Sequence, residues 1–132
     1  YFPEEVLNDT RFIRVDELRK PPFYAELAGL GLKDLPQFSS MAATTFVDVI
    51  AAQVQFSDAL RFHELVHAVQ YRQLGLAKFA EHYVLGFLNC RKYEHIPLEQ
   101  NAYELEARFT RDKRQKIDVL AEVNRWIREG RF

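Results

Sequence analysis

The chain has 132 residues, which is room for one domain around a single continuous core and for no obvious second unit. Hydrophobic residues make up 48% and charged residues 28%, and the formal net charge is -1, a balance that excludes a disordered chain and an electrostatically driven nucleic-acid binder. The single cysteine, Cys90, excludes an intramolecular disulfide and a cysteine-built zinc site, so a metal would need His and carboxylate ligands.

No apolar run has the length to cross a bilayer, and the opening residues "YFPEEVLND" lack the basic-then-apolar makeup of a leader, so a cytoplasmic protein without a membrane partner is expected. Short helical or extended pieces are expected up to residue 20, where Pro21-Pro22 breaks whatever precedes them. A short helix ending at Gly29 or Gly31 and then a loop follow. The stretch "ATTFVDVIAAQ" is rich in β-branched and aromatic residues and is the best strand in the chain, with residues 11–16, "RFIRVD", as a partner.

From Ser57 onward the pattern is helical. Ser57 and Asp58 supply an N-cap and a first-turn acid, the apolar spacing runs Phe62, Leu65, Val66, Val69, and Gly75 stands where a left-handed cap belongs. Residues 76–88 make a second helix. Pro97 opens a third, with a core stripe of Leu98, Ala102, Leu105 and Phe109. A last helix over residues 114–129 buries Ile117, Leu120, Val123 and Ile127 and stops at Gly130. The basic residues 108–116 are interleaved with Glu and Asp, which describes a solvated helix face and not a nucleic-acid surface.

The first of these helices contains "HELVH". At about 100° per residue, His67 stands one turn above His63 on the same face, so two imidazole nitrogens converge on one point. Glu64 points about 100° away, close enough to take a proton from a water attacking beside a bound ion. With four histidines and twelve glutamates in the chain, H-E-x-x-H arises by chance in about 1 of 100 such sequences. A metal site outweighs two histidines at a core edge.

A catalytic zinc usually has three protein ligands and an open position, so a third is needed. The helix opened by Pro97 offers Glu99, Glu104 and Glu106, and His82 and His95 are further options. Relative to Leu98, the core stripe centres at about 10°, Glu106 lies at about 80°, Glu99 at about 100° and Glu104 at about 240°, toward solvent. Glu99 is preferred, because Ala102 one turn along allows close helix approach and the first turn favours a carboxylate.

"FHELVHAVQYRQLG", followed some thirty residues later by "YEHIPLEQNAYELEARF", resembles the gluzincin zinc metallopeptidases, in particular their minimal bacterial, minigluzincin-like forms. The likeness covers about residues 44–110. It implies an α+β, mainly helical, zincin-like single domain over residues 1–132, with a small sheet whose edge strand, "TTFVDVIAA", borders the active-site helix and pairs with an extended peptide. It also implies one zinc ion on His63, His67 and Glu99, with Glu104 as the alternative ligand and Glu64 as the general base. Many members orient a histidine with an Asp or Asn four residues after the glutamate ligand. Here Tyr103 or Arg108 stands at that position.

The expected activity is hydrolysis of peptide bonds in a peptide or protein substrate, with Tyr71, Tyr93, His95 or Tyr103 as the donor to the developing oxyanion. Two other functions compete. A zinc-binding but non-catalytic interaction module has no use for Glu64, and a metal-free helical module would be insensitive to chelators.

Overall fold

The computed structural model describes residues 1–19, 28–29 and 38–132. The expected short helix after Pro21-Pro22 lies largely outside them. The described residues form a mainly helical α+β structure in the order α1 (Glu4–Asp9), β1 (Arg11–Arg14), β2 (Ala43–Phe46), β3 (Val49–Ala52), α2 (Asp58–Cys90), α3 (Pro97–Arg111) and α4 (Val119–Arg128). No helix among them is long and apolar enough to cross a membrane.

The stretch expected to be one strand is a hairpin. Val47 and Asp48 turn the chain, so that β2 runs antiparallel to β3 with Thr45 opposite Ile50, and Val47 takes a positive φ of 57°. A β-branched residue is uncommon at such φ, which is why β-propensity alone hid the turn. β1 pairs with the other side of β3 in parallel, Arg11 opposite Val49, as the sequence suggested for residues 11–16. The sheet order is therefore β1-β3-β2. Only the first half of "TTFVDVIAA" is an edge strand; its second half is the central one.

One face of the hairpin, Ala43 and Thr45 from β2 and Ile50 and Ala52 from β3, is buried. Ile50 belongs to the core that also holds Phe62, Val66 and Val69 of α2. Ser57 caps α2 by accepting a hydrogen bond from the Leu60 amide at 3.1 Å. At Gly75 the helical path is interrupted (φ 75°, ψ 160°), a conformation open essentially to glycine, so the expected boundary there is a kink within α2.

Beyond the kink, Gly86 lets α2 touch the start of α3: a Cβ at this position would lie 2.9 Å from Pro97 Cδ and 3.1 Å from Ile96 Cγ2. Leu98, Ala102 and Leu105 of α3 are fully buried and Phe109 partly so, as the stripe predicted. α4 begins at Val119 and not near residue 114, because Asp118 takes the N-cap and accepts from the Ala121 amide at 2.9 Å. Its buried face is Val119, Val123 and Trp126, with Leu120 and Ile127 only partly covered.

Candidate metal centre

His63 and His67 come from the first half of α2, where residues 62–71 are all buried, and Glu99 comes from the first turn of α3. The three meet. His63 Nε2 lies 3.2 Å from His67 Nε2 and 3.3 Å from Glu99 Oε2, and His67 Nε2 lies 3.4 Å from the same oxygen. For ligands at the usual 2.0–2.1 Å from zinc, a tetrahedron has edges of about 3.3–3.4 Å, so these three atoms have the spacing of one tetrahedral face. They are the group of His, Cys, Asp and Glu side chains among the described residues that could hold a metal ion.

Each histidine is oriented through its other nitrogen. Glu106, two helical turns beyond Glu99, accepts from His63 Nδ1 at 2.9 Å, which turns His63 Nε2 toward His67 and Glu99. Gln70, one turn beyond His67, places Oε1 2.8 Å from His67 Nδ1. Glu106 thus meets the His63 nitrogen turned away from the His63–His67–Glu99 group, Glu104 is exposed, His95 is exposed, and His82 stands beside Phe132 at 6.3 Å between ring centres.

Glu99 is 2% exposed, and a carboxylate buried so completely needs a positive partner. Burial by itself would push its carboxyl up; the charge on His67 and the hydrogen bonds from both histidines outweigh burial and hold it well below the usual carboxylate range. Burial pulls the His63 imidazole down, but the hydrogen bonds it donates to Glu106 and Glu99 raise it to about 9. His67 is also raised, with burial opposed mainly by Glu99. Protons on the imidazoles balance Glu99 here, and a divalent cation would do the same work in their place.

Glu64 is buried next to the cluster, and Thr45 of β2 donates to its Oε2 at 2.6 Å. A cleft of about 600 Å³ is bordered by Ala42 and Ala43 at the sheet edge and by His63, Glu64, Tyr93, Tyr103 and Glu106. Of the four expected oxyanion donors, Tyr93 and Tyr103 line this cleft. Tyr71 instead stacks on Phe79 at 3.6 Å between ring centres. The Tyr93 phenol is pushed up by burial and by Glu99, and Tyr103 to about 12 by burial and then by Glu99 and Glu106, so both remain protonated donors at neutral pH.

Sequence reasoning did not find Thr45 or Gln70. Gln70 carried a signal, three residues after His67 on the same helix face. Thr45 carried none, because it depends on which strand lies beside α2. Searches for similarity to protein-family models, to curated proteins and to solved structures find no match to this chain.

Proposed function

We propose that the chain is a zinc-dependent metallopeptidase. The observation that carries this reading is the tetrahedral spacing of His63 Nε2, His67 Nε2 and Glu99 Oε2, with Glu64 beside them at a cleft. Two imidazoles and one carboxylate are a donor set suited to zinc. Bound there, zinc would supply the Lewis acidity that polarises a scissile carbonyl and makes a water acidic near neutral pH.

The residues of the chain do the rest. Glu64 takes the proton from the attacking water and delivers it to the leaving amine, and the Thr45 hydrogen bond keeps its carboxylate from rotating away. Tyr93 or Tyr103 donates to the oxyanion. The side of β2 not paired with β3 meets the cleft at Ala43, where an extended peptide can add as a further strand.

The test uses protein free of affinity-tag histidines. About one equivalent of zinc is expected in the parent and a large loss in Glu99→Ala, since zinc sites of this kind use three protein ligands. Glu64→Gln should keep its zinc and lose about 10²- to 10⁴-fold in peptide hydrolysis. A parent that holds zinc but cleaves no member of a peptide library would favour the non-catalytic zinc module, and a parent that takes up no zinc would end the metal reading.

A further inference from the structure

Gln70 is fully buried, and both ends of its carboxamide are engaged. Its Nε2 donates to the Leu98 carbonyl at 3.0 Å and to Asn101 Oδ1 at 2.9 Å. A backbone carbonyl can only accept, so the atom facing Leu98 must be the nitrogen and the one facing His67 must be the oxygen. That oxygen in turn can only accept, so His67 Nδ1 carries a proton, and Nε2, which faces Glu99 and His63, is the nitrogen that a cation would take in place of a proton. Leu98 and Asn101 flank Glu99 on α3.

We infer that Gln70 is a positioning residue that fixes the metal-binding tautomer of His67, with its own orientation dictated by the helix that carries Glu99. The side chain ties α2 to α3 at the level of the ligands. His67 can present Nε2 only while α3 is docked, so the two helices deliver their ligands together. Asn101 completes the arrangement by offering Oδ1, while its Nδ2 is left without a hydrogen-bond partner. Leaving a buried amide group unpaired costs about 1–3 kcal/mol, so the orientation of Asn101 is set by Gln70. The inference rests on the proposed metal site and not on hydrolysis.

The experiment reads zinc affinity by competition with a chromophoric chelator, the visible spectrum of the cobalt(II)-loaded protein, and the His67 tautomer by nitrogen-resolved NMR. In the zinc-loaded parent, His67 should show a slowly exchanging proton on Nδ1. Gln70→Met keeps the volume and removes the acceptor; its zinc affinity should fall about 10- to 100-fold and its cobalt band should shift. Gln70→Glu keeps an acceptor for Nδ1, so its affinity should stay within about threefold of the parent with the cobalt band retained, while its metal-free form melts lower because the donors to α3 are gone.

Equal affinity in the parent and Gln70→Met would overturn the inference while leaving the metal site standing. So would a fall in Gln70→Glu as deep as in Gln70→Met. If Gln70→Met does not fold, the parent spectrum still decides, because absence of the Nδ1 proton on zinc-loaded His67 contradicts the assignment. A parent that binds no zinc rejects the metal site and this role together.

Discussion

The two halves of α2 share one stretch of helix and are used in opposite ways. Before Gly75, residues 62–71 are all buried, and four of them are polar: His63, Glu64, His67 and Gln70. After it, Leu76, Val84 and Leu85 are exposed apolar residues, while Phe79, Gly86 and Phe87 are buried. The first half buries polar groups only because every one of them has a partner on β2 or α3, since an unpaired buried polar group is costly. The second half holds a smaller cluster with Ile96 and Leu98, and so braces the start of the helix that carries Glu99. The buried polar groups of the candidate site are concentrated in one half and apolar bracing in the other, with the Gly75 kink between them.

Substitutions in each half can break this contrast. The largest effect is expected at Phe62, which is 3% exposed and stacks on Phe109 at 4.4 Å; Phe62→Ala should cost about 3–5 kcal/mol in denaturant unfolding. A cost near zero would mean that the first half is not the core.

Next is pH. His63 is raised from its ordinary 6.5 to about 9, so metal-free protein holds this proton more tightly folded than unfolded. The associated stability, on the order of 1–3 kcal/mol, is fully present below about 6.5 and is lost as pH rises through about 9. Melting of chelator-treated protein should therefore fall across that window, and zinc should bind more tightly as the competing proton leaves. A melting temperature that rises over the same range would contradict the pairing of His63 with Glu106 and Glu99.

In the second half, Gly86→Ala places a methyl 2.9 Å from Pro97 Cδ and should cost about 1–3 kcal/mol, with weaker zinc binding because the start of α3 moves. Unchanged zinc affinity despite lower stability would show that bracing and ligand placement are separable. Leu85→Ala is the smallest change. Half-exposed Leu85 should shift stability by no more than about 0.5 kcal/mol, and a larger loss by the same unfolding measurement would reveal a packing role for that face.

Much of this was legible from residue order alone. The 3.6-residue period marked the buried faces of α2 and α3, Gly75 marked the interruption, and helix phase set Glu99 and Glu106 on the same side of α3 and turned Glu104 to solvent. Phase could not decide between Glu99 and Glu106. They differ by only about 20° around the axis but by about 10 Å along it, and the axial offset between two packed helices is not written in either one. The Val47-Asp48 turn and the late start of α4 were missed where local preference was ambiguous, a β-branched residue in the turn and an Asp that could read as helix or as cap.

The sequence by itself determined that two histidines share a helix edge with a glutamate about 100° to one side, because four residues make about one turn whatever the surroundings. It also determined that a carboxylate-bearing face of α3 lies near the core stripe. Tertiary structure decided which glutamate meets Nε2 and which meets Nδ1, that Thr45 holds Glu64, and that Gln70 joins His67 to Leu98 and Asn101. These are contacts across gaps of 19 to 43 residues, apart from the local Gln70–His67 pair. Such contacts depend on how α2, α3 and β2 dock, and docking is set by the summed packing of side chains far from the site.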